Sequence, residues 1–473
     1  MSELSNTAET RQDEAPRVGA SRTVYFQTFG CQMNEHDTSR LAEKLAARGF
    51  ARVQDKESAD LLVVNTCSVR ELAVQKALSE VGRWREHKAE RGQKIAVTGC
   101  VAQLQGDELL KKYKDIDLVI GPDNIYQAAE LVERVMGGER LVRAELDETA
   151  GFQFLSSEGA ADGVQAFVTV QKGCDKNCSY CIVPRVRGRE VSRPLAEIVA
   201  EVTQLASRGV REVTLLGQNI DAYRDPDNTR FDMLLRAVAA VPELSRLRFT
   251  TSHPNDFTMA MAQAMADTPT ICEHLHLPAQ SGSDNVLKRM FRGYSRERYL
   301  QKIAAIRALM PDLSLTTDLI VGFPGETEED FQATLELVEL AQFDAAFSFT
   351  YSIRPGTPAQ SWRDDVPETE KKSRLARLND VIRLMAKKRT ERFVGRVMPV
   401  LVEGPSRMDA KVLCGRIRHN TPINFTGHAL RGETVLVEVT AAPNGFFLMG
   451  QIVGPFTERF AREQAEHSAT ALA

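Results

Sequence analysis

Short apolar runs alternate with segments of helical periodicity over the first part of the chain. Four such runs are found, at residues 24–29, 61–65, 94–98 and 117–120. Strands that are apolar at nearly every position are typical of a parallel sheet that helices cover on both faces. The pattern therefore predicts a parallel-sheet α/β domain at residues 23–138. A leader at 1–22, expected to be disordered, precedes this domain, and a linker at 139–159 follows it.

A second alternation of strand and helix signals occupies the middle of the chain. Six strand candidates recur there, at Ala166–Val170, Glu212–Leu216, Leu247–Thr250, His274–Leu277, Ser314–Ile320 and Ala346–Thr350. One helix start is well marked at Thr327, an N-cap residue that precedes three acidic residues. Six βα units are too few to close an eight-stranded barrel. We therefore expect an open, partial (βα)6 barrel over residues 160–392.

The C-terminal part follows a different pattern. Residues 367–395 have the spacing of a basic amphipathic helix. Four short strands are predicted after it, at Val397–Glu403, Lys411–Ile417, Thr434–Val439 and Phe447–Val453. Short strands separated by Gly, Asn and Pro turns are typical of a small all-β module. We place this module at 395–456, before a flexible tail at 457–473.

Composition narrows the class of protein. Of the 473 residues, 43% are hydrophobic and 26% are charged, which is ordinary globular usage and excludes disordered and collagen-like chains. No apolar run reaches the length of a membrane-spanning helix. The first 22 residues also lack the apolar core of a secretory signal. We therefore expect no membrane association and a cytoplasmic location.

Charge is unevenly distributed along the chain. The net charge is −4, but residues 367–455 hold 15 Lys and Arg against 8 Asp and Glu, a local +7. A basic segment on an acidic body is typical of a site for a polyanion such as RNA. A solvated helix face produces the same pattern, and the sequence alone leaves both interpretations open.

The clearest chemical signal is the segment Gly173–Cys181, which reads GCDKNCSYC directly after a predicted strand. A cytoplasmic location makes disulfides unfavourable and favours a metal site instead. A [4Fe–4S] cluster usually takes four thiolates, so three in one loop leave an iron open for a further ligand. Zinc is the weaker interpretation, because the loop has no fourth Cys or His. We call residues 173–181 the core cysteine loop.

A second set of three cysteines is spread over the first domain. Cys31, Cys67 and Cys100 each follow a predicted strand directly, and the carboxyl ends of parallel strands share one edge of the sheet. We call them the edge cysteines and expect them to hold a second cluster with three thiolates. Three buried cysteines that act as small hydrophobic residues are the alternative. Cys272 and Cys414 have no partner at ligand spacing, and we expect both to be core residues.

These features resemble the radical S-adenosylmethionine superfamily and, within it, the methylthiotransferases, most of all the branch that acts on isopentenyladenosine in tRNA. The resemblance covers residues 23 to 455. It is carried by TFGCQMN (28–34), NTCSVRE (65–71), TGC (98–100), QKGCDKNCSYCIVPRVRGRE (171–190), LLGQN (215–219), LHLPAQSGS (275–283), TDLIVGFPGET (317–327) and YSIRPGTPA (351–359). It implies an N-terminal methylthiotransferase domain, a radical S-adenosylmethionine core and a C-terminal TRAM module that binds RNA.

The activity that the resemblance implies is methylthiolation at C2 of N6-isopentenyladenosine, at position 37 of tRNA. Two S-adenosylmethionine molecules and two [4Fe–4S] clusters are implied: the edge cysteines would ligate the sulfur-delivering cluster, and Cys174, Cys178 and Cys181 the radical cluster. Expected partners are the tRNA anticodon stem-loop and a reductant such as flavodoxin or ferredoxin, and the expected oligomeric state is a monomer. Alternatives are a relative that acts on threonylcarbamoyladenosine in tRNA or on a ribosomal protein, and a non-catalytic RNA-binding protein with structural metal.

The resemblance also implies residues that border S-adenosylmethionine. Tyr180 is expected near the adenine. The other residues lie in two strand-end loops: Gly217, Gln218 and Asn219 in the first, and Gly322 and Gly325 in the second. Tight strand-to-helix turns would explain the same loops. The roles of Arg185, Arg187, Arg189 and Arg193 stay open between cofactor, phosphate and structural contacts. His253, His274 and His276 are expected at strand ends facing one cavity, and a satisfied core position is favoured over a chemical role for each. Asn34, His36 and Asp37 are expected to cap the first helix.

Overall fold

The computed structural model describes residues 22–68, 71–146 and 163–457. The expected leader up to residue 21, residues 147–159 of the expected linker, and the tail beyond Thr457 lie outside this part of the chain. Among the described helices, none combines the length and the apolar character needed to cross a bilayer.

The first domain is a six-stranded parallel sheet with helices on both faces. Its strands are β1 (Arg22–Phe29), β2 (Phe50–Arg52), β3 (Leu61–Thr66), β4 (Lys94–Gly99), β5 (Leu118–Ile120) and β6 (Leu141–Arg143). Its helices are α1 (Gln32–Ala46), α2 (Glu71–Arg91), α3 (Cys100–Lys112) and α4 (Ala128–Met136). The order is β2-β1-β3-β4-β5-β6, and all six residues of the central β3 are buried, which confirms the prediction of a sheet covered on both faces.

Strand β6 was not anticipated, because it lies in the segment that we expected to be a linker from residue 139. It pairs with β5 in parallel, with Leu118 opposite Leu141. We therefore propose to move the end of the first domain from residue 138 to 143.

The middle of the chain forms the expected open barrel. Its strands are β7 (Gln165–Thr169), β8 (Gln171–Lys172), β9 (Val191–Ser192), β10 (Glu212–Leu216), β11 (Arg246–Phe249), β12 (His274–His276), β13 (Ser314–Val321) and β14 (Ala345–Thr350). Its helices are α5 (Val183–Arg187), α6 (Leu195–Ser207), α7 (Phe231–Ala239), α8 (Met259–Asp267), α9 (Asp284–Arg289), α10 (Arg296–Leu309), α11 (Glu328–Ala341) and α12 (Glu368–Glu391). Helix α11 begins as predicted, with Thr327 accepting a hydrogen bond from the Asp330 backbone.

Six of these strands are parallel and form two halves, ordered β11-β10-β7 and β12-β13-β14. A single bridge between Leu247 and Ile271 joins the halves, and β7 and β14 are the two outer strands. Along β13 the odd-numbered Leu315, Leu319 and Val321 pack into the helix-covered core. The even-numbered residues therefore face the inside of the open barrel, which we call the lumen.

The C-terminal part is a closed five-stranded barrel, which we call the C-terminal barrel. Its strands are β15 (Val397–Pro405), β16 (Leu413–Ile417), β17 (Pro422–Thr426), β18 (Thr434–Ala441) and β19 (Leu448–Pro455), in the order β15-β16-β17-β19-β18. Strand β17 was missed because its only large apolar residues are Ile423 and Phe425, between Pro422 and polar neighbours. The other four strands confirm the predicted all-β module.

The C-terminal barrel docks at the amino ends of the central strands. Arg246 begins β11 and donates hydrogen bonds to the carbonyl oxygens of Arg416 (2.6 Å) and Pro399 (2.9 Å). Arg248 donates likewise to Arg418 and Ile417. The core cysteine loop lies at the carboxyl ends of the strands, so the C-terminal barrel closes the opposite end of the open barrel.

Candidate active site

A short hairpin presents the core cysteine loop. Strand β8 ends one residue before Gly173 and pairs with β9 in antiparallel fashion. Gly173 has φ +74°, and a Cβ there would collide with the Arg189 backbone, so only glycine fits. The backbone N–H of Cys174 donates to the Gly188 carbonyl at 3.2 Å, and that of Ser179 donates to the Met290 carbonyl at 3.1 Å. The loop is therefore fixed at both ends before any ligand binds.

The three thiols of this loop are mutual neighbours in a desolvated place. Burial raises the pKa of Cys174 to about 12, and the nearby Cys181 and Cys178 thiols add to the shift. Burial raises the pKa of Cys181 to about 11 in the same way. The Cys174 and Cys181 thiols are therefore protonated at neutral pH, and binding a metal to them releases protons.

A buried arginine that the sequence did not reveal touches this loop. Arg292 donates a hydrogen bond to Cys178 Sγ at 3.3 Å, and its other nitrogens donate to the Pro278 carbonyl at 3.0 Å and to Tyr294 Oη at 3.1 Å. The side chain comes from the turn after α9, more than 100 residues away in sequence. No spacing rule links such distant positions, so only the fold could reveal the contact.

The edge cysteines occupy the equivalent place in the first domain. Cys31 is the N-cap residue of α1, Cys67 follows β3, and Cys100 begins α3 after β4. Strands β1, β3 and β4 are adjacent in the sheet, so the prediction that these strand ends meet at one edge is confirmed.

Asparagine side chains hold this edge together. Asn34 Oδ1 accepts hydrogen bonds from the Cys31 backbone N–H (3.3 Å) and thiol (3.4 Å). Asn34 Nδ2 donates to Asn65 Oδ1 at 2.9 Å. A hydrogen bond with Cys67 is the main cause that lowers the pKa of Cys31 to about 6, whereas burial raises the pKa of Cys100. Asn34 thus caps the first helix as expected and also fixes a thiol.

The two cysteine sets lie on either side of one domain interface. Helix α5, which directly follows the core cysteine loop, contacts α3, where Ile182 and Val186 pack with Cys100. His36 and Asp37 were expected as helix caps, and this expectation is wrong. His36 Nδ1 lies 3.2 Å from Thr169 Oγ1 of β7, and Asp37 Oδ2 accepts a hydrogen bond from Arg187 at 2.6 Å. Both side chains therefore join the first domain to the open barrel.

The other three arginines after the core cysteine loop have partners within the protein. Arg185 lies against Gly356, Arg189 pairs with Asp175 and Arg193 pairs with Glu201. Of the two cysteines expected in the core, Cys272 is buried, but Cys414 is only partly buried in β16. The Cys414 thiol donates to the Pro405 carbonyl at 3.6 Å.

The loop after β10 carries unused hydrogen-bonding capacity. Gln171 Oε1 accepts from the backbone N–H groups of Gln218 (3.2 Å) and Asn219 (3.3 Å). Gln218 Oε1 accepts from Gly173 N–H, which ties this loop to the core cysteine loop. Three buried atoms here, Gln171 Nε2, Gln218 Nε2 and Asn219 Oδ1, have no hydrogen-bond partner among the described residues. A buried site with unsatisfied donors and acceptors is suited to a polar ligand.

The loop after β13 has a different character. Gly322 and Gly325 have φ of +70° and +80°, and Cβ atoms on them would collide with Lys371 and Arg289. Backbone conformation and close packing therefore explain both glycines without a ligand. Gly217 also lacks space, since a Cβ would lie 2.8 Å from Gln171 Oε1. The Tyr180 ring packs edge-to-face on Phe323, with ring centroids 6.4 Å apart.

The lumen below these loops is lined by polar and aromatic side chains. His276 Nδ1 lies 2.9 Å from Thr316 Oγ1, and its Nε2 lies 3.5 Å from Asp318 Oδ2. The Phe347 ring lies 6.2 Å from the His276 ring and is 54% exposed. His274 also contacts Thr316. His253 lies in the loop after β11, where its ring packs edge-to-face on Tyr294 with centroids 6.1 Å apart.

Three family models match the chain. Residues 23–121 match the model described as uncharacterized protein family UPF0004, residues 168–338 match the radical SAM superfamily, and residues 391–453 match the TRAM domain. A tRNA-2-methylthio-N(6)-dimethylallyladenosine synthase from Alkalilimnicola ehrlichii is 46% identical over 439 residues, 91% of this chain and 97% of that protein. The synthase of the same name from Methylococcus capsulatus is 45% identical, with coverage of 91% and 95%.

This chain belongs to the tRNA-2-methylthio-N(6)-dimethylallyladenosine synthase family. The radical SAM fold of its core is also found in TsrM, a radical S-adenosylmethionine methyltransferase from Kitasatospora setae solved with cobalamin and a [4Fe–4S] cluster. The two structures share 16% identity and a TM-score of 0.54, covering 72% of this chain and 77% of TsrM. At that identity the likeness shows the fold alone.

The donor sets of this family member suit iron–sulfur clusters. Within residues 22–68, 71–146 and 163–457, no three Cys, His, Asp or Glu side chains converge as ligands of a single metal ion would. In a cube each thiolate binds a different iron, so the ligands need to be neighbours without meeting at one point. Three thiols per set, with no imidazole or carboxylate among them, also match the soft ligands that such clusters require.

Proposed function

We propose that this chain is a radical S-adenosylmethionine methylthiotransferase that acts on C2 of N6-isopentenyladenosine at position 37 of tRNA and yields the 2-methylthio derivative. The observation that carries the proposal is the placement of two three-cysteine sets on the two sides of one interface, where α5 packs against α3. A sulfur donor and a radical source must reach the same carbon of the substrate, and this arrangement places their ligands on neighbouring elements.

We assign Cys174, Cys178 and Cys181 to the radical cluster, and Cys31, Cys67 and Cys100 to the sulfur-delivering cluster. When bound, the first cluster supplies the electron that cleaves S-adenosylmethionine, and the second supplies the sulfur site. The protein's part is to hold these ligands rigidly and to exclude side reactions. The hydrogen bonds of the Cys174 and Ser179 backbone serve the first set, and the Asn34–Asn65 pair serves the second.

We propose that S-adenosylmethionine lies between the core cysteine loop and the loop after β10. The unpaired atoms of Gln171, Gln218 and Asn219 support this placement, since its amino, carboxylate and ribose groups need such partners. Tyr180 and Gly217 would line this site. We assign Gly322 and Gly325 to the S-adenosylmethionine site on the family resemblance alone, because turn geometry already explains both glycines.

The lumen offers a binding site for the target adenine. Phe347 exposes an aromatic face there, beside the polar pair His276 and Asp318. Enzymes that modify a base commonly take it out of its stack and hold it against aromatic side chains and hydrogen-bonding groups. We therefore propose that the isopentenyl-bearing base stacks on Phe347 with its polar edge toward the His276–Asp318 pair.

The remaining assignments rest on the family. We propose that the substrate binds through its anticodon stem-loop, that the C-terminal barrel contributes RNA contacts, and that a flavodoxin or ferredoxin supplies electrons. A monomeric, cytoplasmic enzyme completes the proposal.

The deciding experiment is anaerobic reconstitution with iron and sulfide, followed by assay on isopentenylated and unmodified tRNA. We expect 2-methylthio product only from the isopentenylated tRNA, measured by mass spectrometry of nucleosides. The same analysis of a strain lacking the gene should show loss of this nucleoside. Loss of a methylthiolated threonylcarbamoyladenosine or of a modified ribosomal protein would instead identify one of the related activities. A colourless, zinc-bound protein without activity would overturn the enzyme assignment.

A further inference from the structure

One buried side chain connects the two cysteine sets. Arg187 ends α5, six residues after Cys181, and is 3% exposed. It donates a hydrogen bond to Asp37 Oδ2 on α1 at 2.6 Å. On the same short helix, Val186 packs against Cys100. Burial raises the pKa of the Cys100 thiol, and the nearby positive charge of Arg187 opposes that shift. The Arg187 side chain therefore lies buried at the domain interface, beside an edge cysteine.

The backbone next to Arg187 contacts the core cysteine loop. The carbonyl of the next residue, Gly188, accepts the hydrogen bond from Cys174 N–H at 3.2 Å. Gly188 and Arg187 thus link the Cys174 backbone to the interface at which the same short helix packs against Cys100. Other buried contacts cross this interface without a cysteine at either end; Arg40, for example, lies 3.9 Å from Glu201.

We propose that Arg187 is a positioning residue that sets the redox properties of the cluster held by the edge cysteines, through its buried positive charge beside Cys100. This inference rests on the proposed function, which assigns Cys100 as a cluster ligand. A hydrogen bond and a positive charge beside a ligand sulfur stabilise the more negative, reduced form of a cluster. Arg187 thereby raises the reduction potential of this cluster. Asp37 partly neutralises Arg187 and limits the effect.

The test uses full-length protein in which Cys174, Cys178 and Cys181 are Ala, so that only the second cluster is present. Its potential is measured by a redox titration monitored by electron paramagnetic resonance. Arg187→Gln in this background should shift the potential to a more negative value, and Arg187→Lys should restore part of the shift. Asp37→Asn should shift it in the opposite direction. Arg40→Gln removes a buried arginine from the same interface and should leave the potential unchanged.

The outcomes separate this inference from the proposed function. If the parent variant holds no cluster, the ligand assignment fails, and the inference falls with it. If the cluster is present and Arg187→Gln changes the potential no more than Arg40→Gln does, Arg187 is only an interface residue and the inference is wrong. If Arg187→Gln retains no iron, the Asp37→Asn variant tests the inference. Its reduction potential should be more positive than that of the parent, and an unchanged or more negative potential would overturn the inference.

Discussion

The Arg292 guanidinium donates a hydrogen bond to Cys178 Sγ at 3.3 Å, from a position that is 5% exposed. Arg292 is also held by the Pro278 carbonyl and Tyr294 Oη. Each cysteine set therefore has a buried arginine beside it. Arg292 donates to a sulfur of the core cysteine loop, and Arg187 lies near the edge cysteine Cys100. A charge-assisted donor of this kind fixes the orientation of a ligand and stabilises added negative charge on it.

Replacing Arg292 with Gln should impair the radical cluster specifically. Outer partners of metal ligands typically contribute 10- to 100-fold to affinity or activity, so we expect S-adenosylmethionine cleavage to fall at least about tenfold. Iron retention after a chelator challenge and 5′-deoxyadenosine formation measure the effect. The matched control is Arg296→Gln, which removes an arginine from a partly exposed pair with Glu336 (3.0 Å). Equal rates in both variants would show that the Cys178 contact is incidental.

Removing the core thiols should remove half of the iron. With Cys174, Cys178 and Cys181 all changed to Ala, we expect about four irons per chain in place of about eight, and no 5′-deoxyadenosine. The edge cysteines lie in another domain with its own hydrophobic cores, so their cluster should survive. Iron analysis and chromatography of the cleavage products provide the measurements. Continued 5′-deoxyadenosine formation by the triple variant would refute the assignment of the radical cluster.

Removing one edge cysteine should separate the two half-reactions. Cys67→Ala leaves the core cysteine loop and its backbone hydrogen bonds intact, so reductive cleavage of S-adenosylmethionine should continue. Methylthiolated nucleoside should be absent, because the sulfur site has lost a ligand. The internal control is Cys414→Ala, at a partly buried cysteine of the C-terminal barrel, which should leave both reactions unchanged. Normal product from Cys67→Ala would exclude the two-cluster mechanism.

The lumen offers a test of where the base binds. Phe347→Ala removes the exposed ring beside His276, and base-stacking contacts contribute about 1–3 kcal/mol per base. We therefore expect kcat/KM for isopentenylated tRNA to fall about 5- to 150-fold, while cleavage of free S-adenosylmethionine remains. Phe347→Tyr keeps a stacking ring and should retain most activity. If the alanine variant turns over tRNA normally, the base stacks elsewhere.

The sequence could predict the two cysteine sets because both depend on local rules. A cysteine directly after an apolar strand of a parallel sheet must lie at the carboxyl edge, so Cys31, Cys67 and Cys100 could be brought together without a structure. Arg187 and Arg292 could not be assigned, because their partners are far away in sequence and neither position has a pattern of its own. His36 and Asp37 show the same limit: their place near a helix start indicated caps, whereas domain packing determined their contacts.

Charge was the signal most open to misinterpretation. Of the 15 cations between residues 367 and 455, at least ten form ion pairs within the described part of the chain. Arg374 pairs with Glu326. Two nitrogens of the Arg418 guanidinium donate to the Glu273 carboxylate. Many of the acidic partners belong to the open barrel. The basic excess therefore largely complements the acidic core, and it is not by itself evidence of a polyanion site.

This arrangement also decides how RNA binding by the C-terminal barrel can be tested. Deleting residues 396–473 would take away the carbonyl acceptors of Arg246 and Arg248. Both arginines would keep Glu212 as a partner, but hydrogen bonds to charged groups contribute about 1.5–3 kcal/mol each, so their loss would destabilise the core itself. Weak tRNA binding by the truncated chain could then reflect unfolding, and point substitutions at exposed positions are needed.

Arg407 and Lys411 are suitable, because both are exposed in the connection between β15 and β16. Each phosphate contact contributes about 0.7–0.9 to the slope of log affinity against log salt. If both residues bind phosphate, Arg407→Gln with Lys411→Gln should weaken tRNA binding and reduce that slope by about 1.5. Lys372→Gln with Lys388→Gln removes two exposed charges from α12 and is the control. Cleavage of S-adenosylmethionine should be unchanged in the parent and in both double variants. Equal salt slopes for all three proteins would place the RNA contacts away from this connection.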